Sequence, residues 1–148
     1  MSGVAIQELQ YAIFIYQRRI NEIQSEITEL LKKKEALKRL ELANDKRTSK
    51  FWNLHERQKK RLCQISEAQT IRYAEGYRRN LNGYLSGNQH SRAVSSLDEI
   101  NRTLKLGISR CADDILQRQQ EIQKLEREIV YLRERIGYLQ ALMAQAQA

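Results

Sequence analysis

The sequence predicts an all-α protein, either an elongated antiparallel helical hairpin or a three-helix coiled-coil bundle. Three observations predict it. The 148 residues include no proline and only 6 glycines, the two strongest helix breakers. Apolar residues recur at alternating gaps of three and four near both ends of the chain. The positions between them are filled by Gln, Glu, Lys and Arg, which is the composition of a heptad helix with one apolar stripe.

The first helix is expected over about residues 4–45. Its stripe runs Ile6, Leu9, Ile13, Tyr16, Ile20, Ile23, Ile27 and Leu30, followed by Lys34 and Leu37. The next two sites of the same frame hold Glu41 and Asn44, and residues 44–49 are polar and of the kinds that cap helices. We expect a break or kink there, an unbroken helix being the alternative.

A second helix is expected over about residues 50–85. Its apolar set is less regular: Phe51, Trp52, Leu54, Leu62, Ile65, Ala68, Tyr73, Tyr77, Leu81 and Tyr84, with Gly76 and Gly83 weakening its end. Residues 86–91, Ser-Gly-Asn-Gln-His-Ser, make the clearest turn in the chain.

The third helix is expected over about residues 93–146, with Ser96 and Glu99 in the relation of a capping box and a start one turn earlier at Ser91 as the alternative. Isoleucine stands at a (115, 122, 129, 136, then Met143), and Leu125, Leu132, Leu139 and Ala146 stand at d. Backwards, the frame takes in Val94, Leu97, Leu104, Ile108 and Cys111. It is interrupted by Asn101 at an a site and Arg118 at a d site, which serve either as register devices or as imperfections of the stripe. Such a helix would be ~80 Å long at ~1.5 Å per residue and needs a partner in water.

The whole is read as one domain in which residues 86–91 fold the third helix back on the second. A continuous first and second helix would then bring Leu37 near Gln140 and leave the first stripe overhanging. A bend near Asn44 would instead fold helix one beside the other two. Helix one has no tight turn of its own, and Lys34, Glu41 and Asn44 interrupt its register. It is therefore the helix expected to be more exposed, and Ile6, Leu9, Ile13, Tyr16, Ile20, Ile23, Ile27 and Leu30 are the expected partner-binding residues.

The net charge of +8 is local. Residues 32–61 hold twelve basic and four acidic side chains, and the rest of the chain holds 14 of each. Within the basic patch, Lys32, Lys33, Lys34, Lys38, Arg39, Lys59, Lys60 and Arg61 lie close in sequence, and Phe51, Trp52 and His55 are interleaved. Cations beside aromatic rings suit phosphates and bases. The plainer reading packs Trp52 and Leu54 on another helix and leaves the lysines as a solvated face. Nucleic acid is therefore the secondary expectation.

Chemistry is sparse. His55 and His90 stand far apart, Cys63 and Cys111 lack CxxC neighbours, and no glycine-rich phosphate loop exists. Cys111 sits on the d stripe and reads as a small buried apolar residue. Asp113 and Asp114 are adjacent on a helix and point apart. We expect no catalytic residues, no cofactor, no metal and no small-molecule substrate, because a thin stripe-buried rod offers no scaffolded cleft. No stretch approaches the ~18 apolar residues of a membrane span, and no secretory signal peptide is visible.

The arrangement resembles the WXG-like small helical partners of LXG toxins, which belong to type VIIb secretion in Gram-positive bacteria. The resemblance rests on three features. These are the Ile-, Glu- and Lys-rich heptad helix from Ile6 to Leu37, the segment Ala68-Gln69-Thr70-Ile71-Arg72-Tyr73-Ala74-Glu75-Gly76-Tyr77, and the repeating Ile-x-x-Leu helix from Ile122 to Leu142. Trp52 is followed by Asn53-Leu54, so W-x-G is absent, and no Tyr or Phe has an acidic residue four positions later, so the C-terminal export signal is absent too. The resemblance implies a non-enzymatic adaptor or targeting chaperone. It would bind the helical N-terminal domain of the toxin, while a companion small helical protein carries the signal. It also implies a cytoplasmic location, with co-secretion through the type VII machine as an option. The alternatives from other classes are a nucleic-acid-associated basic coiled coil and a structural coiled-coil subunit of a secretion apparatus.

Overall fold

A computed structural model describes the backbone of residues 2–67 and 72–147, and the side chains of residues 3–64 and 76–147. All the secondary structure described is helical: α1 (Ser2–Glu67), α2 (Arg72–Ser86) and α3 (Asn88–Gln147). The chain is all-α, in keeping with a helical hairpin. Its contacts divide it into two units where the sequence suggests one domain. Unit 1 comprises Met1–Lys34 and Arg110–Ala148, and unit 2 comprises Glu35–Ser109.

Unit 1 is an antiparallel pair formed by the start of α1 and the end of α3. Ile13 and Ile20 pack with Ile129 and Ile136. Ile6, Leu9, Tyr16, Ile122, Leu125 and Leu132 close the seam around them. Ile23 is fully buried, and Cys111 and Ile115 are buried further along. These are the a and d positions of the two heptad frames, so period alone selects the faces that meet.

Unit 2 is assembled from the second half of α1, all of α2 and the first part of α3. The expected break at residues 44–49 is absent, for α1 passes through them as regular helix. No proline or glycine interrupts this stretch, and the polar residues that suggested a break occupy seam positions instead. Asn44 is buried, and Glu41 and Thr48 are half-buried. Thr48 Oγ1 donates to the Asn44 carbonyl at 2.8 Å, so the hydroxyl bonds within the helix instead of capping one.

The expected reversal at residues 86–91 is also corrected. α2 ends at Ser86 and α3 begins at Asn88, with Gly87 alone between them and Ser91 N donating to the Gly87 carbonyl at 3.2 Å. Both helices lie against α1: Leu62 shares a groove with Arg78, Arg79 and Asn82 of α2, and His55 stacks on His90 of α3. Residues 86–91 are therefore a bend. Covered positions 78, 81 and 85 are spaced by three and four, then five residues separate 85 from 90, after which the alternation resumes. Three would continue the alternation after 81 and 85, so two extra residues are accommodated at the bend. A Cβ at Gly87 would run into the Gly83 carbonyl oxygen, which explains glycine there. α3 starts before the expected residue 93, so Ser96 and Glu99 lie inside it and do not cap it. Leu37 packs toward Gly107, where a Cβ would stand 3.2 Å from Leu37 Cδ1, and not near Gln140. Residues 68–71 lie outside the described residues, and so do the side chains of Ile65, Ala68 and Tyr73 from the expected second helix.

Candidate functional site

The residues expected to meet a partner are the ones that build unit 1. Ile13, Ile20 and Ile23 are buried, and Ile6, Leu9, Tyr16, Ile27 and Leu30 are half-buried. The expectation that helix one is the more exposed is thereby corrected. The last third of α3 covers its stripe, because the two stripes have the same period and the same Ile/Leu chemistry and each supplies the partner the other needs.

Arg118 is the interruption that the structure explains best. It is half-buried at its d site, and its Nε donates to Glu26 Oε2 at 3.0 Å across the seam. Its Nη1 donates to the Asp114 carbonyl at 3.4 Å. Glu26 is shared with Arg19, whose Nη1 donates to Glu26 Oε1 at 3.4 Å, and Arg19 Nε stands 3.5 Å from Glu121. Partial burial works against the Arg19 charge, but Glu121, Glu26 and Glu22 outweigh it and raise its pKa above the ordinary value. Arg19, Glu26 and Glu121 all hold g positions, so this network marks one flank of the seam.

The surface flanking the seam carries large apolar side chains. On the g side, Ile15, Tyr131 and Tyr138 at c positions and Leu142 at g are exposed by 44%, 62%, 55% and 42%. The Arg135 guanidinium lies 5.3 Å from the Tyr138 ring centroid. On the opposite flank, marked by e and b positions, Phe14, Leu31, Leu116 and Val130 are exposed. Two helices have only one seam to bury, so apolar residues beyond a and d are left facing water.

In unit 2 the seam becomes polar and aromatic. Phe51, Trp52 and His55 of α1 gather around His90 of α3. The His55 and His90 rings stack at 4.4 Å with 25° between planes, and Phe51 stacks on His90 at 5.3 Å. Trp52 stands edge-on to both histidines, at 5.3 and 5.9 Å. The two histidines that look remote in sequence thus meet. The signal was present, since His55 continues the a series of α1 and His90 continues the d series of α3. His55 is buried and its Nδ1 has no partner among the described residues. Burial disfavours its charged form, His90 and Lys59 add to that, Glu56 opposes it, and the pKa is lowered. No third His, Cys, Asp or Glu joins the pair as a metal-holding group among the described residues. Asn44 Nδ2 and Asn101 Oδ1 are further buried polar atoms without a partner there.

The basic patch divides between the units. Lys32, Lys33 and Lys34 belong to unit 1; Lys38, Arg39, Lys59, Lys60 and Arg61 belong to unit 2, where all five are exposed. Lys32 pairs with Glu29 at 3.3 Å and Lys59 with Glu56 at 3.8 Å, each one turn away on the same helix. Trp52 is 41% exposed and Leu54 49% exposed, so neither is a fully packed core residue. Cys63 is exposed and Cys111 is buried, as its d position suggests.

Compared with protein-family models, curated proteins and solved structures, the chain matches none. No described helix is long and apolar enough to cross a membrane.

Proposed function

We propose that this chain is a non-enzymatic helical adaptor or targeting chaperone that docks a long helix of a larger protein. The observation that carries the reading is the row Ile15, Tyr131, Tyr138 and Leu142 beside the closed seam of unit 1, exposed to water in the chain alone. Two aromatic and two aliphatic side chains along one flank suit the apolar stripe of an amphipathic helix, with Arg18 and Glu22 at the margin to set its register. The resemblance to the partners of LXG toxins supports a specific client, the helical N-terminal domain of such a toxin, bound together with a companion small helical protein before type VII export. Docking in the cytoplasm belongs to the same reading.

The test is co-expression with the helical protein encoded beside this chain, followed by size exclusion. A stable complex is expected. Tyr131→Glu with Tyr138→Glu should weaken it at least tenfold while leaving the helical circular dichroism and melting temperature unchanged. A complex indifferent to that pair would overturn the docking face, and no complex with any neighbouring product would overturn the adaptor itself.

A second reading is supported by the charge of unit 2. Its residues 35–109 hold fifteen basic and eight acidic side chains, a net +7, which leaves +1 for unit 1. Such a concentration favours a polyanion such as nucleic acid.

A further inference from the structure

The two flanks of unit 1 differ in charge. The g flank carries the Arg19, Glu26 and Arg118 network. Every e and b position of α1 between residues 7 and 31 is uncharged: glutamine, asparagine and threonine, with Phe14 and Leu31 exposed among them. On α3 the same flank holds two charges between residues 116 and 144, Glu126 and Arg133, both at e. Neither takes part in an ion pair among the described residues, whereas Arg118 and Glu121 of the same helix pair with α1.

Their spacing carries the inference. Glu126 and Arg133 are one heptad apart, with exposed Val130 at b between them. Two copies of α3 laid antiparallel about a twofold axis between positions 129 and 130 place Glu126 of each against Arg133 of the other. The same axis sets Gln119 against Gln140. A parallel pairing would place Glu126 on Glu126. Along α1, the register of Arg19 with Glu121 and Glu26 with Arg118 puts Phe14 level with residues 126–130, so Phe14 joins Val130 at the axis. The uncharged remainder of the α1 flank opposes nothing in a second copy of itself.

We infer that unit 1 is a dimerisation surface, in which the e and b flanks of two copies of this chain pack antiparallel into a four-helix bundle about Phe14 and Val130. The symmetry is that of an isologous interface, where one patch is its own complement. This face is separate from the Tyr131 and Tyr138 flank, so the two proposals stand or fall independently.

Sedimentation equilibrium of the full chain tests it. The wild type should show twice the 17.5 kDa monomer mass at micromolar concentration. E126R alone and R133E alone should each raise the dissociation constant at least tenfold by opposing like charges across the axis. The double swap E126R/R133E should restore it. Val130→Cys in a Cys63→Ser background should form a disulfide with itself on oxidation, because position 130 lies beside the axis. A wild type that stays monomeric at 100 µM, or a dimer unmoved by the single reversals, would overturn the inference. Tyr131→Glu should leave the dimer intact. Its dissociation would transfer the interface to the other flank and equally overturn the assignment.

Discussion

His55 occupies a seam position that an aliphatic residue would ordinarily fill, and it meets His90 there ring on ring. A buried imidazole is tolerated as long as it stays neutral. Its lowered pKa means that the unfolded chain takes up the proton more readily than the folded one. The stability His55 confers is then full above the ordinary imidazole value of about 6.5 and is lost as the pH falls through and below it. The facing groups are Glu56 and Lys59 on α1 and His90 on α3. Thermal melts followed by circular dichroism should show a midpoint that is flat from pH 8 to 7 and declines toward pH 5. His55→Phe keeps a stacked ring and should flatten that decline, and an unchanged pH profile in the variant would remove the role. Asn44 and Asn101 tell a related story. Each places a buried amide at a heptad site with one atom unpartnered, a cost accepted in coiled coils where a polar contact restricts register.

At the scale of the element, α1 and α3 depend on one another. Ile20 and Ile27 on one side and Ile122 and Ile129 on the other line the same seam of unit 1. An Asp at any of them sets an unpaired charge against apolar neighbours, at a cost on the order of 3 kcal/mol or more. Against a total stability of about 5–15 kcal/mol, two such changes are decisive. The double variants Ile20→Asp/Ile27→Asp and Ile122→Asp/Ile129→Asp should therefore lose helical signal and melting cooperativity to the same extent. If the first pair kept a wild-type melt, α1 would be a detachable arm. The bend at Gly87 shows the opposite kind of dependence. It is a local event, set by one residue without a Cβ and two added positions in the spacing, and the heptad frame resumes beyond it.

For the molecule as a whole, charge is unevenly divided while apolar exposure is shared. Unit 2 carries +7 and unit 1 carries +1, and large exposed apolar side chains occur in both, Phe14 and Tyr131 in unit 1 and Leu42 and Leu54 in unit 2 among them. A polyanion bound by unit 2 would be held by counterion release, so its affinity should fall steeply between 50 and 200 mM salt. Lys59→Glu, Lys60→Glu and Arg61→Glu together should abolish that binding, measured by fluorescence anisotropy on a labelled duplex and a single strand. An absence of binding to both at 50 mM salt would remove the polyanion reading and leave the protein-docking face as the functional surface.

The helical class, the two Ile/Leu stripes and the burial of Cys111 were all legible in the sequence, because heptad period depends only on the order of residues along one helix. The placement of the bend near residue 87 was legible too, through its turn-forming composition. Its meaning was not, since a glycine between polar residues can either reverse a chain or mark residues added to a continuing pair. The same limit applied at residues 44–49. Polar residues with capping side chains read as a helix end when no partner is in view, yet they stay helical when no Pro or Gly interrupts them and a second helix covers them. Which stripe meets which, the meeting of His55 with His90, and the pairing of Arg118 with Glu26 are matters of register between segments far apart in the chain. Only tertiary packing decides these, because it must satisfy both stripes at once, and the end of α3 offers the start of α1 a stripe of the same period and the same Ile/Leu chemistry.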